Sequence, residues 1–91
     1  MPPLFELGIN VAQPGALEAL ERNQQNAYEF ISRHQLGDWG TVDDADKLEN
    51  DRAVRFGASI LSAYELKDGT QVWVLTEADR SSTCVLLPDE Y

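Results

Sequence analysis

Apolar positions in the first half of the chain recur at helical spacing, whereas those in the second half alternate or run together as in strands. Leu4 to Val11 carries scattered apolar residues broken by Gly8, the pattern of a short edge strand or an extended arm. Pro14, tolerated in a first turn because its missing N–H would be unpaired there, precedes Ala16, Leu17, Ala19 and Leu20 and predicts a short helix ending near Asn23. Asn26 followed by Glu29 predicts a capping box that starts a second helix. That helix has the stripe Ala27, Phe30, Ile31 and His34, so His34 faces the core or its rim, and Gly37 closes the helix in a left-handed conformation. In the turn Gly37-Asp38-Trp39-Gly40, Trp39 is placed to plug an apolar site. A third helix, capped by Thr41 or Asp43, is predicted to reach Phe56 and stop at Gly57.

Strand patterns follow over Ala58–Leu66, Thr70–Thr76 and Thr83–Leu87, the last ended by Pro88. Asp68-Gly69 predicts a two-residue hairpin needing positive φ, and Ala78–Ser82 a polar turn. Val72 and Val74 alternate with Trp73 and Leu75, so the middle strand is apolar on both faces and belongs at the centre, with helices on one side and Trp73 on the other. Val72, Val74, Val85 and Leu87 are the expected core. The fold class is α+β: one domain over residues 1–91, N-terminal helices packed on a three-stranded antiparallel β-meander, four-stranded if the N-terminal segment joins.

Composition narrows the function classes. Sixteen acidic residues against seven basic give a net charge of −9, which makes a nucleic-acid backbone an unfavourable direct partner and suits either plain solubility or a basic protein partner. The 43% hydrophobic and 25% charged content is that of a globular chain. Cys84, alone, has no internal disulfide partner and is expected as a small buried hydrophobe. No apolar run approaches a membrane span and the first residues lack a basic signal start, so a cytoplasmic location without membrane contact is expected.

Three constellations carry candidate chemistry. The run Asp43, Asp44, Asp46, Glu49 and Asp51 invites a calcium reading but lacks the alternating Asp, central Gly and closing Glu of an EF-hand. On a helix these carboxylates spread around the axis and complement its positive end, so no metal is expected. His34 with Asp38 is either a carboxylate-oriented imidazole for acid–base work or a hydrogen-bonded structural histidine. In Glu77–Thr83, Asp79 binds nearby amides, and Arg80 either pairs with a neighbouring carboxylate or holds a phosphate or a partner's carboxylate. Phosphate loops, nucleophile elbows and dinucleotide fingerprints are absent from the sequence, and no cofactor is expected.

The segments Val11–Leu20, Arg33–Gly40, Leu75–Ser81 and Leu86–Tyr91 resemble short bacterial proteins carried on plasmids and integrative elements, which are labelled plasmid-related or, in some cases, type I restriction-modification subunit. The restriction label does not fit a chain of 91 residues without a glycine-rich cofactor loop. The resemblance implies a mobile-element setting and no mechanism. In outline, a His-bearing helix ahead of an antiparallel sheet is also similar to small metal-independent ribonucleases of the barnase and RelE type. That likeness implies His34 as general acid or base, Arg80 on the scissile phosphate and Thr83 as hydrogen-bond donor, against an acidic charge unlike that of those enzymes.

Two expectations follow. The first is a non-enzymatic accessory protein that binds a basic or nucleic-acid-binding host protein, such as a defence complex, through Asp38, Asp43, Asp44, Asp46, Glu49 and Asp51. The second is the ribonuclease. Open sheet edges also allow a homodimer.

Overall fold

The computed structural model describes residues 2–91. Its elements are β1 (Ile9–Ala12), α1 (Pro14–Arg22), α2 (Ala27–Gln35), α3 (Asp44–Phe56), β2 (Ile60–Glu65), β3 (Gln71–Thr76), β4 (Ser82–Leu86) and a closing 3-10 turn, Pro88–Glu90. The strands form one sheet in the order β1-β4-β3-β2. The meander β2-β3-β4 is antiparallel as expected, with Val74 opposite Ser62 on one side and Val85 on the other. The fourth strand changes the class of the sheet: β1 runs parallel to β4, Val11 opposite Cys84, so the sheet is mixed. Gly8, at φ +66°, sets this alignment, because its Cα lies so close to the Arg80 and Ser81 carbonyls that a Cβ has no room.

The β2–β3 turn also departs from the expected form. Only Gly69 has positive φ, at +89°, while the Gly69 N–H donates to the Leu66 carbonyl and Leu66 N–H to Thr70. This is a type I turn followed by a left-handed glycine, the longer hairpin loop instead of the two-residue one. Asp68 accepts from the Thr70 N–H and from Arg22, so the loop is tied to the end of α1.

Each helix starts on an identifiable cap. Asp43 accepts from the Asp46 N–H at 2.8 Å and Asn26 from the Tyr28 N–H at 2.8 Å. Glu29 does not reach back to complete the predicted box; its carboxylate receives Gln25 instead, at 3.4 Å. Gly37 closes α2 with Asp38 N–H on the Arg33 carbonyl and its own N–H on that of His34, satisfying two end carbonyls. At the start of α1, Gln13 provides no side-chain cap. The Glu90 carboxylate takes its place from the far end of the chain, accepting from Gly15 N–H at 2.7 Å and Ala16 N–H at 3.0 Å. The Leu87 N–H also donates to this carboxylate, at 2.9 Å, and that bond first, with those from Gly15 and Ala16, lowers its pKa, while Gly15 leaves the room that the carboxylate occupies.

All three helices lie over one face of the sheet, and the core divides into two clusters. The larger joins Ala16, Ala19 and Leu20 of α1 and Phe30 and Ile31 of α2 to Tyr64, Val72, Val74 and Val85, with Leu87 half-buried against it. The smaller joins Trp39, Ala53 and Ile60, with Phe5, Val42 and Val54 against them. Trp39 is thus the expected plug, and its indole N–H donates to Asp51 at 3.0 Å. On the opposite face Trp73 meets Tyr91 edge-on, and Cys84 is half-buried, its thiol pKa raised by that burial.

The outer edge of β2 is closed at Leu61 and Ala63. The Asn50 side chain pairs with both the Leu61 N–H and its carbonyl, and Ala63 exchanges bonds with the Trp39 carbonyl and Thr41 N–H. Gly40 allows this approach, since a Cβ there would collide with the Ala63 carbonyl. Removing the Glu90 carboxylate leaves the α1 amides to water. Glu90→Ala should lower the midpoint of thermal unfolding by about 5 °C, the scale of a lost cap in a domain of this size, whereas Asp89→Ala should leave it unchanged. Differential scanning calorimetry checks both.

Candidate functional site

Two polar residues that the sequence singles out, His34 and Thr83, converge inside the molecule with two that it does not, Ser62 and Thr76. His34 is fully buried, as are Ser62, Thr76 and Thr83 on the core-facing side of β2, β3 and β4. The His34 Nδ1 lies 2.6 Å from Ser62 Oγ and Nε2 lies 2.9 Å from Thr76 Oγ1. Thr76 Oγ1 is 2.7 Å from Thr83 Oγ1, and Thr83 donates to the Leu7 carbonyl at 2.8 Å. A hydroxyl has one proton, and Thr83 spends its own on the carbonyl. Thr76 must therefore donate to Thr83 and accept from Nε2–H, and in the neutral ring Nδ1 is then unprotonated and accepts from Ser62. In the neutral ring the chain of bonds runs one way, Ser62 to His34 to Thr76 to Thr83 to Leu7, and selects the Nε2–H tautomer.

This arrangement opposes a charged histidine. Burial pushes the His34 pKa down from 6.5 to about 4, with the positive charge of Arg80 second. Phe5 and Trp39 seal the ring, at centroid distances of 5.2 and 6.0 Å. The only basic lone pair on His34 is already occupied by Ser62.

Asp38 does not orient this imidazole. It pairs with Arg33 at 2.6 Å and accepts from the Gly40 N–H, and the Arg33 guanidinium holds its pKa below the ordinary value. Arg80 is likewise occupied, and its partners are carbonyls instead of the expected carboxylate. It donates to those of Ala58 at 2.7 Å, Glu77 at 3.1 Å, Ala78 at 3.2 Å and Ala53 at 2.7 Å, with its guanidinium 5.6 Å from the Phe5 ring centroid. A cation facing the last carbonyls of α3 complements the negative helix end. Asp79 accepts from the Ser81 N–H, as the turn pattern predicts. His34, Arg80 and Thr83 are thus brought to one region around Phe5, with their polar atoms turned onto the protein itself.

The acidic residues that the sequence offers as a partner surface, from Asp38 to Asp51, lie elsewhere, at the β2 end of the sheet, and all are exposed. Asp43 caps α3, Asp51 receives the Trp39 indole and Glu49 pairs with Arg52 at 3.4 Å. Asp44 and Asp46 have no side-chain partner among the described residues. Among those residues no group of three or more His, Cys, Asp or Glu is placed to hold a metal ion, and no helix is long and apolar enough to cross a membrane.

Ser62 and Thr76 are partners of His34 that the sequence patterns do not single out. For Thr76 the signal is present in the sequence, since it follows Val74 by two residues and so shares the face of the core valines, whereas Ser62 is placed there only by its pairing opposite Val74. Comparison of the chain with family models, with curated proteins and with solved structures returned no match.

Because the folded pKa of His34 lies below its unfolded value of 6.5, the unfolded chain binds more protons between them. Its stabilising contribution is complete above about pH 6.5 and is lost as pH falls toward 4, where the total reaches about 3 kcal/mol. The depressed carboxylates Asp38 and Glu90 begin to lose theirs only below their ordinary values of 3.8 and 4.5. Urea unfolding should therefore show stability lower at pH 5 than at pH 7 by about 2 kcal/mol, and His34→Gln should abolish most of that difference.

Proposed function

We propose that the protein is a non-enzymatic accessory protein of a mobile genetic element, an acidic module that occupies the basic groove of a nucleic-acid-binding host protein. The observation that carries this reading is the first half of α3. Asp43, Asp44, Asp46 and Glu49 stand exposed within two turns, with Lys47 the one cation among them, and the Asp44 and Asp46 side chains have no partner among the described residues. Carboxylates held on a rigid helix present a fixed array of negative charge, which steers association and matches a groove built for phosphates. The net charge of −9 and the likeness to plasmid-borne proteins support the same assignment.

The ribonuclease alternative has no such supporting observation. It needs a histidine lone pair and a guanidinium turned toward substrate, and in this chain both are engaged internally.

The test is recovery of partners from bacterial host lysate at low and physiological salt, with the captured proteins identified and challenged with excess duplex DNA. The wild type should retain a basic nucleic-acid-binding protein that DNA displaces. Asp44→Asn, Asp46→Asn and Glu49→Gln together, which leave the Asp43 cap in place, should reduce recovery about tenfold, at roughly 0.5 kcal/mol per rim charge. Equal recovery by both proteins, or none at low salt, contradicts the reading.

A further inference from the structure

The two edges of the sheet are treated differently. Every outward backbone group of Leu61 and Ala63 on β2 is matched, by Asn50, Trp39 and Thr41. On β1, the Ile9 and Gln13 N–H groups donate to the Ser81 and Val85 carbonyls of the β4 side. Alternate residues of a strand point their backbone groups to opposite sides, so those of Asn10 and Ala12 point away from the sheet. No described residue bonds to them. An edge left open in this way accepts another strand, and proteins that avoid such pairing place charges, prolines or a cover there.

This edge carries none of those protections. From Leu7 to Leu17 the sequence has no charged residue, in a chain whose net charge is −9. Beside the edge runs a groove of about 150 Å³ lined by Asn10, Ala12, Ala27, Tyr28, Ile31 and Val85, again without charge. Ile9 is 70% exposed, Val11 46% and Tyr28 63%. A basic partner gains nothing here. A second copy of this acidic chain, repelled by the carboxylates of α3, can approach at this edge without placing like charges together.

We infer that β1 is a homodimerisation edge, pairing antiparallel with β1 of a second copy about a two-fold axis at Val11. In that register Asn10 faces Ala12 of the second copy, and each such pair exchanges both N–H···O bonds. Val11 meets its own counterpart at a non-hydrogen-bonded position, where side chains come closest. Asn10 and Ala12 lie on the face of Thr83 and Val85, so their small side chains from the second copy enter the groove beneath Tyr28. The sheet becomes continuous through both copies, and the two α3 faces, packed at the β2 ends, are held at its opposite extremes and stay open.

Sedimentation equilibrium on the full chain, from about 10 µM to about 1 mM, spans the range expected of a small interface. The wild type should move from the 10.2 kDa monomer to twice that mass. Val11→Lys and Val11→Glu, at a half-exposed side chain, should each stay monomeric, and an equimolar mixture should regain the dimer. Amide exchange on the wild type gives a second reading without any substitution: Asn10 and Ala12 should be protected at the high concentration and exchange freely on dilution. A wild type that is monomeric throughout, including one that binds only extended peptides of other proteins, overturns the inference. So do variants that dimerise as well as the wild type, a mixture that stays monomeric, or protection independent of concentration.

Discussion

The structure depends on burying five polar groups in a line and leaving none unmatched. Ser62, His34, Thr76, Thr83 and the Leu7 carbonyl belong to β2, α2, β3, β4 and the N-terminal arm, so one chain of hydrogen bonds joins most of the fold. An unmatched buried polar group costs about 1–3 kcal/mol, and in a low-dielectric interior each bond polarises the next. No buried side-chain nitrogen or oxygen is left without a partner among the described residues. A shift of one strand by a single residue would turn its hydroxyl to the other face of the sheet and break the line, so the line also specifies register.

Phe5 and Trp39 insulate this line, and Arg80 locks the segments around it. Arg80, in a left-handed turn conformation at φ +61°, reaches carbonyls of α3, of the connection into β2 and of its own turn. The residues best suited to phosphate chemistry by type are therefore consumed in architecture. What remains for partners is on the outside: the carboxylates of α3 at one end of the sheet and the uncharged β1 edge at the other. The two surfaces are separated by the width of the sheet, and a dimer at one leaves the other accessible.

Local signals in the sequence were legible wherever the structure is local. The helices over Pro14–Arg22, Ala27–Gln35 and Asp44–Phe56, the caps at Asn26, Asp43, Gly37 and Gly57, and the meander were all written in nearby residues. The burial of His34 followed from its helical stripe. Features that join distant residues were not legible. The direction of β1 is set by a partner at the other end of the chain, Glu90 caps a helix that begins at Pro14, and Arg80 finds carbonyls on α3 instead of a neighbouring acid. Asp38 was near His34 in sequence but is drawn to Arg33, five residues away on the same helix end. Charge and residue type narrow the possible chemistry, and long-range geometry decides which groups are left to perform it.

Nitrogen NMR of the His34 imidazole across pH reads directly whether this residue is a sealed structural element in one fixed tautomer. A single neutral Nε2–H form, with Nδ1 unprotonated, should persist from pH 8 down through 5.5, with no titration near 6.5. A histidine that titrates near its ordinary value, or that exchanges between tautomers at neutral pH, would contradict that role.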